Sequence, residues 1–468
     1  MKVQVLLPKI FNYTFTYAYE KKNNFKIGDI VEVPFGSKTE IGVIWNGVST
    51  VNKKIKIKKI KKKIVNDFLS EKLIRFIDWF SMYNMVPKGL VLKMCIGGNE
   101  NFFKELKQNQ EKRNENSNIE EYYLNDQQKI ALKYLEKNNT GFHVSVLQGV
   151  TGSGKTLVYF ERIKKIISKK KQALVLLPEI FLTNQFKKRF EDFFGFTPAV
   201  WHSKITPKNK RIIWQNIVKN KIKLVIGARS ALLLPYKNLG LIVVDEEHDS
   251  SYKQDEGTIY NARDMAISRA SIENIPIHLV TSIPSMETYN NIKNKKYGLI
   301  NITKRYNDFP LPETKIINLN LNKIKNKYIA HETINIVKNY LKKKKQILFF
   351  INRRGYAPYL ICKNCGYKHL CPDCSIYLTF HNFKNKAICH HCGYKTNIER
   401  KCKSNKLCDF LMYGPGVEKI FEELKENFPK NKISIFSSDF MQNKKRAEDF
   451  FKKIDNNEID ILVGTQMV

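Results

Sequence analysis

The chain has 468 residues, 43% of them hydrophobic and 12% aromatic, and it carries 81 Lys and Arg against 44 Asp and Glu. This length can hold about three domains, and the apolar content excludes a disordered or collagen-like protein. The net charge of +37 favours nucleic acid as a partner, because cationic side chains bind phosphates with release of counterions. A/T-biased codon usage, which enriches lysine, asparagine and isoleucine, is the alternative explanation for the charge.

The first residues show no basic segment followed by an apolar run, so no secretory signal is predicted. No uncharged stretch approaches the length of a membrane span. We therefore expect a cytoplasmic protein with no membrane partner. In that reducing compartment its nine cysteines should be thiols or metal ligands rather than disulfides.

Residues 1–97 begin with short alternating apolar stretches broken by Gly28, Pro34 and Gly36, which predict a small β-rich module. Residues 70–94 have the spacing of one or two amphipathic helices. Residues 98–120 are polar and are predicted to be a linker.

From residue 121 onward, apolar strand-like runs alternate with helical segments. Continuous apolar strands between helices predict an α/β fold with a parallel sheet covered on both faces. One such unit is placed at 121–320. A second, at 321–468, is interrupted by a cysteine-rich insert at 359–410.

Residues 149–156 satisfy the phosphate-binding pattern G-x4-G-K-[ST], between a predicted strand and a predicted helix. The glycines allow backbone N–H groups to surround phosphates at a helix N-terminus. Lys155 would pair with the β- and γ-phosphates of ATP, and Thr156 would bind Mg²⁺. The predicted nucleotide-binding residues of this P-loop are Gly149, Val150, Thr151, Gly152, Ser153, Gly154, Lys155 and Thr156. A glycine-rich turn without ligand is the alternative.

Residues 245–248, called the acidic box below, follow the apolar run 241–244. A carboxylate at the end of a strand can hold Mg²⁺, and a neighbouring carboxylate can polarise the attacking water. Asp245 and Glu246 are assigned these two catalytic roles together with Lys155. A solvated acidic turn is the alternative.

The segments 249–254 and 260–264 combine aromatic, amide and basic residues, among them Tyr252, Tyr260 and Arg263. On a loop, such residues can stack on bases and contact phosphates. A polar surface loop without function is the alternative.

Eight of the nine cysteines lie between residues 362 and 408. They are Cys362, Cys365, Cys371, Cys374, Cys389, Cys392, Cys402 and Cys408. Three C-x2-C pairs favour zinc, because two closely spaced thiolates share one tetrahedral ion readily, and eight sulfurs suffice for two ions. The final pair is spaced C-x5-C, so His390, His391 or water is an alternative ligand there. Redox chemistry is the weaker interpretation, and Cys95 is expected to be a buried thiol.

Several segments together resemble the PriA family of replication-restart helicases in superfamily 2. The resemblance is carried by residues 33–36, 41–43, 176–180, 226–232, 245–254, 352–358 and 460–467. It implies two RecA-like helicase lobes, the second incomplete, preceded by a domain that binds the 3′ end of the nascent leading strand. It also implies that Gln128 reads adenine.

The resemblance further implies an inserted zinc module with nested ions. Cys362, Cys365, Cys402 and a fourth ligand would hold one ion, and the cysteines at 371, 374, 389 and 392 the other. The implied activity is an ATP-dependent 3′→5′ DNA helicase that remodels stalled forks and promotes primosome assembly and loading of the replicative helicase. The implied partners are branched and single-stranded DNA, primosome proteins and single-stranded-DNA-binding protein.

Four departures from the family pattern bear on this function. A winged-helix domain is expected to be missing between residues 98 and 120, and the coupling segment 281–284 has Ile283 in place of a hydroxyl-bearing residue. Asn405 replaces a cysteine, and the motifs beyond Val468, including the arginine fingers, are expected to be absent. The alternative function is therefore a primosome scaffold that binds ATP and DNA with little hydrolysis or unwinding. A decaying gene product is a third, weaker alternative.

Overall fold

The computed structural model divides the chain into two compact units, residues 1–311 and 312–468. The residues it describes are 1–20, 24–47, 57–66, 68–96, 103, 122–137, 140–178, 184–203, 205–306, 310, 312–318, 328–351, 359–362, 365, 367–381, 386–397, 410–413, 416–436 and 444–465. Among these, no helix is both long and apolar enough to cross a membrane.

The first unit opens with five antiparallel strands in the order β2-β1-β4-β3-β5. They are β1 (Lys2–Leu6), β2 (Phe15–Ala18), β3 (Ile30–Phe35), β4 (Lys38–Trp45) and β5 (Lys62–Val65). Gly36, at φ +61°, makes the tight turn between β3 and β4. Helices α1 (Glu71–Tyr83) and α2 (Lys88–Ile96) follow, and Ser70 caps α1 by accepting a hydrogen bond from the Leu73 backbone N–H.

A seven-stranded parallel sheet forms the larger part of the first unit, in the order β14-β6-β13-β10-β7-β9-β8. Its strands are β6 (His143–Gly149), β7 (Gln172–Leu176), β8 (Ala199–Trp201), β9 (Leu224–Gly227), β10 (Leu239–Asp245), β13 (Pro276–Thr281) and β14 (Gly298–Ile302); β11 (Lys253–Gln254) and β12 (Tyr260–Asn261) form a separate hairpin. Its helices are α3 (Asp126–Lys137), α4 (Lys155–Ser168), α5 (Asn184–Phe194), α6 (Pro207–Val218), α7 (Ala262–Glu273) and α8 (Met286–Lys293). Every residue of β7, β10 and β13 is buried, which confirms the α/β class.

The β-rich module and the parallel sheet share one apolar core. Phe68, just before α1, stacks on Trp214 of α6 with ring centroids 4.7 Å apart. The Trp214 indole N–H donates to the Cys95 carbonyl oxygen over 2.9 Å. Arg269 of α7 lies over the rings of Phe76 and Tyr236. The N-terminal module is therefore packed against the sheet.

The second unit contains a parallel sheet, β15-β22-β21, and two small antiparallel sheets, β16-β20 and β17-β18-β19. Its elements are α9 (His331–Lys342), β15 (Ile347–Phe350), β16 (Tyr359–Cys362), β17 (Thr379–His381), β18 (Lys386–Ile388), β19 (Lys395–Asn397), β20 (Phe410–Tyr413), α10 (Val417–Asn427), β21 (Ile433–Phe436), α11 (Lys444–Asp455) and β22 (Ile461–Gly464). The antiparallel sheets lie in the chain between β15 and α10. The cysteine-rich segment is thus an insert in a parallel α/β unit, as predicted.

The contact between α2 and α6 yields a stability prediction. Substitution Trp214→Phe removes the indole donor and leaves the buried Cys95 carbonyl without that bond, while an aromatic ring remains to stack on Phe68. We expect this substitution to lower the free energy of unfolding of the first unit, measured in urea, by about 1–2 kcal/mol. An unchanged urea midpoint would show that this bond does not join the two modules.

Candidate nucleotide and metal sites

The P-loop connects the end of β6 to the start of α4, and its path depends on glycine. Gly152 and Gly154 have φ angles of +80° and +75°. A Cβ at Gly149 would lie 2.5 Å from Ser153 Oγ, and one at Gly154 would lie 2.3 Å from Gln128 Nε2. The loop can therefore turn this tightly only with glycine at these positions.

The donor set of this loop suits a phosphate group. Lys155 Nζ donates to the Gly149 carbonyl oxygen over 2.7 Å, so its ammonium lies above the loop. Burial lowers the pKa of Lys155, and the nearby charges of Glu246 and Asp245 oppose that shift. Ser153 Oγ is buried and has no hydrogen-bond partner within the described part of the chain. An unpaired buried hydroxyl beside an ammonium, at the N-terminus of a 14-residue helix, fits an anion.

Gln128 is fully buried directly behind the P-loop. Its Nε2 donates to the Ser153 carbonyl oxygen over 2.9 Å, and its Oε1 accepts from the Asn125 backbone N–H over 2.9 Å. Both ends of the side-chain amide are thus bonded to the chain. Gln128 supports the loop in this structure, and its role in reading adenine stays a prediction.

Two residues missed in the sequence, Arg305 and Tyr306, border the P-loop. Arg305 Nε donates to the Thr151 carbonyl oxygen over 3.2 Å, and the Tyr306 backbone N–H donates to the Gly152 carbonyl oxygen over 2.8 Å. They follow β14, which pairs with β6 and so reaches the loop from about 150 residues away. No local signal in the sequence indicates this contact, because it depends on the pairing of distant strands.

Asp245 ends the buried strand β10 and is held by two hydrogen bonds. Tyr159 of α4 donates its hydroxyl to Oδ2 over 2.8 Å, and the Glu246 backbone N–H donates to Oδ1 over 3.0 Å. Burial and then the negative charge of Glu246 raise the pKa of Asp245 to about 6. A buried carboxylate of this kind beside a second carboxylate is suited to a divalent cation, which would favour its ionised form.

His248, which lies near Glu246, connects the acidic box to the coupling segment 281–284. Glu246 adopts a left-handed backbone at φ +48°, and its Oε2 lies 3.7 Å from His248 Nδ1. Thr281 donates its hydroxyl proton to the Ile283 carbonyl oxygen over 2.7 Å. Its Oγ1, 2.8 Å from His248 Nδ1, must therefore accept a hydrogen bond from an N–H at that nitrogen, which sets the histidine tautomer. Ile283 itself is exposed.

Glu247, which the sequence did not single out, is the most extensively bonded residue of the acidic box. Its buried carboxylate accepts from the Ser285 backbone N–H over 2.8 Å and from Thr288 Oγ1 over 2.9 Å. Arg263 Nη1 lies 3.3 Å from Glu247 Oε2, in an ion pair that is nearly inaccessible to solvent. Glu247 therefore fixes the start of α8, just after the coupling segment, relative to β10.

The predicted base-stacking role of Tyr252, Tyr260 and Arg263 is wrong. The three residues are at most 6% exposed. Tyr252 Oη lies 2.6 Å from the Asp245 carbonyl oxygen and 2.9 Å from the Leu176 carbonyl oxygen, so it ties two strands together. These side chains are buried because the aromatic rings fill the core and the guanidinium pairs with Glu247; Tyr260 lies in β12 and Arg263 in α7 instead of on the expected loop.

Four of the predicted metal ligands lie together in the second unit. The sulfurs of Cys371, Cys374, Cys389 and Cys392 are all within 4.8 Å of one another. Both knuckles have the same backbone: the N–H of Cys371 donates to the Ile376 carbonyl oxygen, and that of Cys389 to the Tyr394 carbonyl oxygen. The Cys392 backbone N–H lowers the pKa of the Cys389 thiol to about 6. Four thiols in this arrangement fit one tetrahedral zinc ion.

The other four predicted ligands are described only in part. The Cys362 backbone N–H donates to the Tyr367 carbonyl oxygen over 2.9 Å, the same five-residue step as in the two complete knuckles. Cys362 is buried and Cys365 is exposed. Cys402 and Cys408 lie outside the described residues, as do residues 179–180, 352–358 and 466–467 of the family-like segments. Cys95 is a fully buried thiol, as expected.

Comparison with known proteins matches three families to successive parts of the chain. The PriA 3′DNA-binding domain (3′BD) matches residues 2–97, the DEAD/DEAH box helicase family matches 125–282, and the PriA DNA helicase Cys-rich region (CRR) domain matches 371–396. Replication restart protein PriA of Rickettsia felis is 40% identical over 99% of this chain and 71% of its own length. The proteins of the same name from Rickettsia conorii and Helicobacter pylori are 41% and 30% identical, with the same coverage.

The raised pKa of Asp245 yields a pH prediction for the metal-free protein. Protonated Asp245 is favoured in the folded state, so ionisation opposes folding above the carboxyl group's ordinary pKa, and this penalty is complete above about pH 6. We expect Asp245→Asn to stabilise the protein by up to about 3 kcal/mol at pH 7.5 in EDTA, with a smaller gain at pH 5. Thermal unfolding at the two pH values measures this, and an equal gain at both would contradict the assignment.

The four-cysteine cluster yields a metal prediction. The variant Cys371→Ser/Cys389→Ser should lose one bound zinc ion per chain, because each half of the cluster loses a thiolate. Metal content measured by mass spectrometry after desalting tests this. The variant Cys95→Ser, which changes a thiol far from the cluster in sequence, should keep the parent's zinc content. Equal zinc in the double variant and the parent would exclude the site.

Proposed function

The chain belongs to the PriA family of replication restart proteins, as an ATP-dependent DNA helicase, and we propose that it unwinds DNA in the 3′→5′ direction at stalled replication forks. In this proposal it recognises and remodels the fork, promotes primosome assembly and helps to load the replicative helicase. Its partners would be branched DNA, single-stranded DNA, primosome proteins and single-stranded-DNA-binding protein, in the cytoplasm.

The observation that carries the proposal is the approach of the P-loop and the acidic box at the carboxyl end of one sheet. Lys155 begins α4, and one turn later Tyr159 of the same helix donates to Asp245. Lys155 would pair with the β- and γ-phosphates, Asp245 and Thr156 would hold Mg²⁺, and Glu246 would accept a proton from the attacking water. Bound Mg²⁺ would neutralise charge on the phosphates.

A structural change in the nucleotide site on hydrolysis would be passed on towards the DNA through His248. The hydrogen bond from His248 to Thr281 joins the acidic box to the segment 281–284, and Glu247 holds the next helix to the same strand. A shift of Glu246 on hydrolysis would therefore reach both the coupling segment and α8. This route uses Thr281, so it does not require a hydroxyl at position 283.

The remaining parts have supporting roles in the proposal. The β-rich module would bind the nascent 3′ end, in keeping with the family that matches residues 2–97. Gln128 would read adenine after releasing one of its present bonds. Two zinc ions would stabilise the insert, one on the four gathered cysteines and one on Cys362, Cys365, Cys402 and a fourth ligand such as Cys408.

Substitution Lys155→Ala tests the motor. ATP hydrolysis stimulated by forked DNA should fall by about 100-fold or more, because a preorganised charge at the transferred phosphoryl group is lost. Lys133→Ala, an exposed lysine of α3, is the matched control and should retain parental activity. If the parent and Lys155→Ala share one background rate while both bind forked DNA, the chain is a DNA-binding scaffold instead of a motor.

A further inference from the structure

The longest run of the chain without an acidic residue, 193–244, lies in the first unit, and a shorter acid-free run, 162–178, precedes it. Neither aspartate nor glutamate occurs in residues 162–178 or 193–244, although the chain has 44 of them in 468 residues. At that average content the longer stretch would hold several. A/T-biased codon usage acts along the whole chain, so it does not by itself account for one acid-free run of this length.

The fold brings lysines from both stretches to one place. Three loops lead into β7, β9 and β10, which are adjacent in the sheet. The lysines on these loops are Lys169, Lys170, Lys171, Lys219, Lys221, Lys223 and Lys237, which we call the lysine surface. All are exposed except Lys223, which is half-buried.

One buried residue holds the three loops together. Gln172 Nε2 lies 3.1 Å from the Ile217 carbonyl oxygen and 2.9 Å from the Ile222 carbonyl oxygen, on either side of the loop before β9. Gln172 Oε1 accepts from the Asn238 backbone N–H over 2.9 Å, in the loop before β10. Lys223 Nζ also donates to the Lys170 carbonyl oxygen over 3.2 Å. The backbones of the three loops that carry the lysine surface are therefore held together.

The lysine surface lies across the sheet from the nucleotide site. The strands are parallel, and the P-loop and acidic box follow their carboxyl ends, whereas these lysines precede their amino ends. β10 has seven residues, which separates its ends by about 20 Å. A ligand on these lysines would not overlap ATP or a strand bound near the acidic box.

One lysine-rich turn elsewhere in the chain differs. In the second unit Lys342, Lys343 and Lys344 precede β15, but the neighbouring strand β22 is preceded by Glu458 and Asp460. Asp460 Oδ2 accepts from the Lys432 backbone N–H over 2.8 Å. Acidic residues are thus accommodated at equivalent turns. Favourable placement at helix C-termini explains Lys169 and Lys219, the C-caps of α4 and α6, but not the lysines beyond them.

We propose that the lysine surface binds the sugar-phosphate backbone of duplex DNA, as a second DNA contact of the first unit. The three strands span about 10 Å, within the roughly 12 Å width of a B-DNA major groove, so lysines on the outer loops can reach phosphates on both sides of it. On the three loops themselves the aromatic residue is Tyr236, beside Lys237, and at 4% exposure it offers no face for base stacking; Phe196, 40% exposed, lies before the neighbouring strand β8. Phosphate contact without stacking suits a duplex. The proposal goes beyond the helicase activity and does not depend on ATP hydrolysis.

The test uses the full chain and a fluorescent dumbbell duplex whose ends are closed by hairpin loops, so that no free 3′ end is present. The variant Lys169→Gln/Lys170→Gln/Lys221→Gln removes three positive charges. Its Kd for the dumbbell should rise about tenfold near 0.1 M salt, and the slope of log affinity against log salt should decrease in magnitude by about 3. The matched control Lys342→Gln/Lys343→Gln/Lys344→Gln should match the parent in both quantities.

Three results would overturn the proposal. The first is an unchanged salt slope in the triple variant with a parental thermal midpoint. The second is an equal loss in the control variant, which would indicate a general effect of net charge. The third is retained dumbbell affinity with lost binding to poly-glutamate, which would assign the surface to an acidic protein. Absence of ATP hydrolysis in the parent would refute the motor proposal and leave this assay unaffected.

Discussion

The hydrogen bond from Tyr159 to Asp245 joins the two halves of the nucleotide site. It connects the helix that starts at Lys155 to the strand that ends in the acidic box, 86 residues apart. Asp245 is buried there, so its charge depends on whether a cation is bound beside it. Without a cation, burial and the charge of Glu246 raise its pKa to about 6. The same burial would strengthen its attraction for a divalent ion, since charges interact more strongly away from water.

A second layer of contacts extends from the acidic box towards the coupling segment. His248 reaches Thr281, and Glu247 reaches Ser285, Thr288 and Arg263. A buried carboxylate with this many donors resists displacement, because breaking the set would leave the Glu247 charge without its hydrogen bonds in the interior. Three consecutive acidic residues thus have three different environments, and only Glu246 retains a partly exposed side chain near the site.

The two ends of the parallel sheet have different chemistry. The carboxyl ends collect the P-loop, the acidic box and the tyrosine that supports them. The amino ends collect lysine turns around Gln172. This division follows from parallel strands, whose like ends meet at one edge of the sheet. It allows one unit to hold an anionic nucleotide on one side and to present a cationic surface on the other.

Local patterns in the sequence were sufficient for the α/β class, the β-rich start, the cysteine-rich insert and the position of the P-loop. Each of these depends on spacing within a few residues: strand runs, C-x2-C pairs, or glycines before Lys155. Tertiary structure alone decided which residues at 252–263 are exposed, because burial depends on what packs against that segment. It also decided the roles of Glu247, Arg305 and Tyr306 and the gathering of the lysine turns. These contacts join residues far apart in the chain, and strand order, which no local pattern encodes, brings them together.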